Sequence, residues 1–365
     1  NRAALLAARR RGDPWPVYLV SRTARLVRPV VPLAMAGVLT AATLPALGVD
    51  AGSVHTLAKV VAQPLWFLAV YLVVMAATPA LLAAHERSPR RVLALLAIAV
   101  VAVDGLRLRG WASWTWSANY AFVFLLVSEL GLLLADGTLP SWPRRRVAML
   151  GVAALALLVV LVAGPYPTSM VGVPGERVSN MSPPTVCIAL LAVVQATIAT
   201  LLRPRLARLL QDARRWRAVI AANSIVMTVF LWHLPALAVV AGVILPLGLP
   251  QPAPGAGEWW LLRPAWIALT IAVLAVAVAG ARRFERVRPL PSRRGAVAAL
   301  AAFGLATTAM TVLALDGLGG GSGVAGAGLA LAAARVATGP RTRERRRPKP
   351  APLANQPAAV VRPEP

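Results

Sequence analysis

Residues 119–137 read NYAFVFLLVSELGLLLADG. Between Asn119 and Asp136 the run is apolar apart from Tyr120, Ser128 and Glu129. At about 1.5 Å per helical residue it is long enough to cover most of the roughly 30 Å hydrocarbon layer of a bilayer. A backbone placed there finds no water, so its hydrogen bonds must close within the segment, which means a helix. Outward from this stretch the same texture repeats: apolar blocks of spanning length, separated by short loops rich in Arg, Pro and Trp.

Composition agrees with the texture. Hydrophobic residues make up 58% of the chain and charged residues 14%, with a mean hydropathy of +0.68. Soluble domains carry nearer a quarter charged residues, so a water-soluble fold is excluded. The short alternating segments of an outer-membrane barrel are absent from the sequence. The reading is an all-α, polytopic transmembrane helix bundle. Spans are expected at 31–47, 64–84, 91–106, 117–136, 147–164, 184–203, 219–246, 262–281 and 295–315, nine in all. A tenth, Gly/Ala-rich stretch at 317–339 is marginal, because it has the length but little hydrophobicity. Residues 1–316 are read as the membrane domain and 340–365, rich in Arg and Pro, as a disordered tail.

The basic residues set the orientation. The net charge is +25, which raises the question of nucleic acid, but the placement of the charges answers it differently. Segments 1–30, 85–92, 137–146, 203–217 and 282–294 hold 25 Lys and Arg, and the alternate loops hold 5. The first set is therefore cytoplasmic and the protein sits in the cell membrane, with residues 1–30 inside. Trp111, Trp114, Trp116, Trp259 and Trp260 fall in the outer loops, at headgroup level. The longest outer loop, Pro165 to Pro184, is rich in Pro, Gly and hydroxyl residues and is expected to fold over the outer mouth of the bundle. Asn1 already stands inside a basic inner-loop sequence, so the chain reads as a fragment whose earlier spans precede it.

Polar groups at membrane depth are the pointers to chemistry, because each is costly without a partner. Glu129 is the sharpest: either an acid/base group or substrate ligand, or a carboxyl that pins two helices together. Asn119, Asp104 and His233 are its expected helpers. Asp104 and Arg107, three residues apart at an outer helix end, read as a local ion pair. His233 precedes Pro235, and either binds substrate or bonds a backbone carbonyl one turn back. His55 and His85 are placed in an outer and an inner loop. Cys187 is the sole cysteine, and neither a metal motif nor a phosphate-binding loop is present. Arg22, Arg25 and Arg28 recur every third residue before Pro29. They either anchor the inner boundary or clamp a phosphorylated cytoplasmic donor, which the bidentate guanidinium suits.

These last residues carry a family resemblance. Tyr18, Arg22, Arg25, Leu26 and Pro29 resemble the arginine motif of the acyltransferase family 3 integral membrane proteins. Pro64-Leu65-Trp66-Phe67-Leu68 with Tyr71 and Pro79 is similar to its LWFL helix, and Asn119-Tyr120 with Gly131 to its NY…LG helix. Asn223-Ser224 with Trp232-His233 and Pro235, and Phe284-Glu285-Arg286, resemble two further elements. Ser182-Pro183-Pro184-Thr185 resembles actinobacterial members. The resemblance implies an O-acyltransferase that moves an acyl group, usually acetyl from acetyl-CoA, to a hydroxyl of a cell-envelope carbohydrate or lipid. Arg22 and Arg25 would hold the acyl-CoA donor, and no bound cofactor or metal is implied. The family's histidine base belongs to an earlier helix, expected upstream of Asn1, so no base is assigned; Glu129 and His233 remain the polar candidates. Where the family often has His or Gln before its LG pair, this chain has Ser128-Glu129. A transporter or flippase of a polar precursor, or an inactive remnant of the enzyme, are the competing readings.

Overall fold

A computed structural model of the chain describes residues 14–111, 113–171, 178–248, 251–253, 255–285 and 296–338. Eight helical stretches among them are long and apolar enough to cross a membrane. Large apolar side chains face outward along them, Val152 and Val160 of the sixth helix being 67% and 66% exposed. In water such a surface would aggregate; in a bilayer it is solvated.

The first helix departs from expectation. It was expected to span 31–47, yet α1 runs Trp15–Thr43, followed by a 3₁₀ turn at Leu44–Leu47. Pro29 and Pro32 lie inside it rather than at its start. Each proline removes one helical hydrogen bond, a loss that neighbouring helices tolerate in a membrane bundle. At 29 residues α1 is about 43 Å long, so it outreaches the hydrocarbon layer at its inner end. Counting back about 30 Å from Thr43 places Arg22 and Arg25 at the inner boundary and Arg28 about one turn inside.

The loop expected at 48–63 also holds structure. It contains α2, Ala51–Ala62, whose N-cap Asp50 accepts from the Ser53 amide at 2.9 Å. Gln63 and Pro64 turn the chain into α3, Leu65–Arg87. The remaining expected spans each meet one helix: α4 Pro89–Leu108, α5 Asn119–Ala135, α6 Arg144–Val162, α7 Val186–Leu209, α8 Ala213–Ile244, α9 Gly257–Glu285 and α10 Ala296–Asp316. The Gly/Ala-rich segment forms α11, Gly320–Thr338.

α11 crosses the full depth of the bundle. At the outer end the Leu318 amide before it donates to the Ala58 carbonyl at 3.2 Å. At the inner end Ala337 packs with Val20 and Ala24 of α1 and with Ala299 and Ala302 of α10. Its low hydropathy is offset by small side chains that let backbones approach closely. A Cβ on Gly326 would stand 2.6 Å from the Leu313 side chain of α10. The end of α11 therefore lies at the same face as the start of α1.

The largest core joins α1, α2, α3, α8, α10 and α11 around Leu33, Leu65, Leu72 and Leu313. Smaller clusters join α1, α3 and α5 through Tyr18, Met75, Leu82 and Leu132, and α4, α5 and α7 through Val100, Val123 and Ile188. Aromatic side chains link three of the family-like helices, Trp66 lying 5.4 Å from Tyr120 and Phe67 5.5 Å from Phe230.

Candidate functional site

Glu129 lies fully buried on α5, six residues, or about 9 Å, before its inner end. It points into the bundle, as its cost in lipid requires. Its partner is not among the three helpers expected. Glu129 Oε1 shares a hydrogen bond of 2.6 Å with His85 Nδ1. His85, expected in a loop, occupies the last turn of α3 and is 5% exposed. The helix continues past the expected end because nothing between Ala84 and Arg87 breaks it; Pro89 then opens α4.

A second carboxylate completes the site. His85 Nε2 meets Asp136 Oδ2 at 2.9 Å. Asp136 is the C-cap of α5, seven residues after Glu129, so two helical turns bring both carboxyls to one side. Burial alone would raise the Asp136 carboxyl, but the Thr138 amide, the Thr138 hydroxyl and His85 hold it below the usual carboxylate range. The imidazole is gripped at both nitrogens, which fixes its ring plane. Glu129 Oε2 is buried and has no hydrogen-bond partner among the described residues. Sequence reasoning missed Asp136, although the i, i+7 spacing from Glu129 signalled it. Ser128 turns away and donates to its own helix at the Phe124 carbonyl, 2.8 Å.

The family-like arginine motif is joined to the same helices through Tyr18. The buried Tyr18 ring shares an apolar cluster with Met75, Leu82 and Leu132, and the last two lie one helical turn from His85 on α3 and from Glu129 on α5. The Arg22 guanidinium carbon stands 5.6 Å from the Tyr18 ring centroid. Arg22 and Arg28 are half-buried, whereas Arg25 is exposed.

The other candidates fall elsewhere. His233 Nδ1 is 2.6 Å from the Phe230 carbonyl of its own helix, so it does not join Glu129. Asp104 forms no ion pair with Arg107. It accepts instead from Asn119 Nδ2 at 2.9 Å, the Tyr166 hydroxyl at 3.0 Å and the Val186 amide at 2.7 Å. Arg107 Nη1 donates to the Pro183 carbonyl at 3.0 Å. Both residues thus tie the long outer loop to α4. They were read as a local pair because helix spacing ranks the i, i+3 neighbour above partners 62 and 82 residues away. Burial, and then Asp104, push the Tyr166 hydroxyl above its ordinary value and keep it a donor. Asn180 closes the loop by donating to the Pro167 and Ser169 carbonyls while accepting from Thr185.

An apolar cavity of about 340 Å³ opens between the outer halves of α1, α2 and α8, lined by Leu33, Gly37, Val54, Trp232 and Val239 among others. None of Arg22, Arg25, Glu129 or His233 lines it. Among the described residues no group of His, Cys, Asp and Glu is arranged to hold a metal ion. Arg286 of the Phe284-Glu285-Arg286 element lies outside the described residues, as does the tail after residue 338.

A family model described as an acyltransferase domain matches residues 3–282. No curated protein and no solved structure matches the chain.

Proposed function

The chain belongs to the acyltransferase family, membrane proteins that acylate hydroxyl groups, and from that premise we propose the donor, the acceptor and the donor site. The donor is acyl-CoA, with acetyl as the acyl group, bound at the Arg-rich inner face. The acceptor is a hydroxyl of a carbohydrate or lipid of the cell envelope. Arg22 and Arg25 hold the donor's phosphates.

The observation that carries this reading is the seat of Arg22. It is half-buried near the inner boundary, beside the buried Tyr18, whose apolar cluster joins α1 to the two helices that carry His85 and Glu129. A guanidinium there has the fork geometry and the weak hydration that phosphate recognition favours. Arg25, one turn further along α1, is exposed at the same boundary, where its guanidinium can meet a donor's phosphate.

The test is the Arg22→Lys, Arg25→Lys double variant, which keeps the charge but loses the bidentate fork. Equilibrium binding of acetyl-CoA to the protein in lipid vesicles is expected to weaken roughly tenfold or more, with membrane insertion unchanged. Unaltered donor affinity would reduce both residues to boundary anchors and remove this reading.

A further inference from the structure

His85 sits between two carboxylates that differ in their access to water. The Asp136 side chain keeps 19% of its surface and that of Glu129 keeps none. Glu129 spends Oε1 on His85, while Oε2 is buried and unpartnered among the described residues. A carboxyl oxygen left so in a low-dielectric interior is expensive unless it carries a proton or meets a partner that comes and goes.

With Asp136 ionised, the three groups can hold their shared proton in two ways. One is an imidazolium between two carboxylates. The other is a neutral imidazole that donates from Nε2 to Asp136 and accepts at Nδ1 from a protonated Glu129. Both arrangements have the same net charge. They differ only by the passage of one proton across the 2.6 Å gap between Nδ1 and Oε1. The proton can therefore pass from His85 to Glu129 without changing the net charge of the site, the step that would otherwise cost most at this depth.

We propose that Asp136, His85 and Glu129 form a proton relay that supplies the departing thiolate when the acyl group leaves its CoA donor. This rests on the donor reading given above. In the transfer the acyl carbon–sulfur bond breaks with its electron pair on sulfur, and a carbon–oxygen bond to the acceptor forms. Sulfur takes the proton of Glu129, and the acceptor hydroxyl gives up its own to a separate base. Glu129 and Asp136 are then both carboxylates around a neutral His85 whose ring proton is on Nε2, and one proton taken up from the inner water restores the starting charge of the trio. One proton leaves the hydroxyl and one reaches the thiol, so the overall reaction is balanced.

The test compares two donors: acetyl-CoA, and the analogue in which selenium replaces the thioester sulfur. A selenolate is a much weaker base than a thiolate and departs without a proton, while every CoA contact is kept. In the membrane-embedded protein, Glu129→Gln preserves shape and depth but has no acid proton to give. It is expected to slow transfer from acetyl-CoA about a hundredfold, and transfer from the selenoester by less than about tenfold. Should Glu129→Gln fail to accumulate, Asp136→Asn at the exposed end is measured in the same way, with the same donor-dependent loss expected. Equal slowing on both donors, or no slowing on acetyl-CoA, overturns the relay and leaves the trio as a helix pin. A wild-type protein that transfers from neither donor instead overturns the donor reading.

Discussion

His85 and Glu129 are 44 residues apart in the chain and 2.6 Å apart in the bundle, both out of reach of water. Their contact fastens the inner end of α3 to α5, and Asp136 extends it to the surface. Removing one partner strands the other, whereas removing both restores an apolar interior. His85→Leu alone should therefore destabilise the protein by about 3–5 kcal/mol, and His85→Leu with Glu129→Leu by distinctly less. Thermal unfolding of the purified protein in detergent reads both. A double variant as unstable as the two single losses added together would show that the contact contributes nothing.

Asp136 gives the site a pH signature. Its carboxyl is held below the ordinary value, so its contribution to stability is full above about pH 4 and is lost as the pH falls through the lowered value. Because the same carboxyl binds the His85 imidazole, its own signature is read below about pH 5, where the stability difference between wild type and Asp136→Asn should shrink as the buffer is made more acid. A difference that grows on acidification would mean that Asp136 is protonated in the fold.

The all-α bundle was legible because lipid leaves a chain few choices. Apolar length predicted nine spans, and eight stretches among the described residues are long and apolar enough to cross. The expected span at 91–106 forms a helix, Pro89–Leu108, whose charged ends keep it out of that set. Of the three misreadings of the fold, the early start of α1 and the late end of α3 have one physical cause. Pro29 and the charged residues near His85 are boundary signals in soluble helices, but α1 and α3 run past them because packed neighbours stabilise their ends. The site was only half legible. Glu129 announced itself by its cost in lipid, whereas His85 looked like loop chemistry until α3 was seen to continue. The partner of a buried carboxyl is chosen by helix adjacency, which hydropathy does not encode.

Sidedness is open to a direct test. Cys187 is buried, so single cysteines can be introduced at exposed positions against a silent background. Ser169→Cys and Asp316→Cys should react with an impermeant thiol reagent in intact cells, and Arg214→Cys and Arg335→Cys only after lysis. Reaction of Arg335→Cys in intact cells would mean that α11 does not cross.

Asp104 should act as the latch of the outer loop. It is 2% exposed and accepts from three donors on α5, in the loop and at the start of α7. Asp104→Ala strands these donors, at a cost of roughly 1–3 kcal/mol for each that water cannot reach. Limited proteolysis within 165–184 should speed up in the variant. Unchanged cleavage would show that Asn180 and Arg107 hold the loop by themselves.

Two glycine-to-alanine changes on the same hairpin should have opposite signs. Gly317, in the turn from α10 to α11, has φ +91°, and a Cβ there would stand 3.0–3.1 Å from backbone atoms of Ala58 and Lys59. Backbone cannot rotate aside as a side chain can, and the left-handed conformation itself disfavours alanine, so Gly317→Ala should cost about 1–3 kcal/mol. It should also pull the Leu318 amide away from the Ala58 carbonyl that seats α11. Gly304, inside α10, has nothing within 4 Å of its added Cβ. Gly304→Ala should leave packing intact and gain helix stability of roughly 0.5–1 kcal/mol. Thermal unfolding of the two variants side by side reads the contrast. If Gly317→Ala were as stable as wild type, the turn would not be pressed against α2, and the seating of α11 would have to come from the alanine stripe of α10 alone.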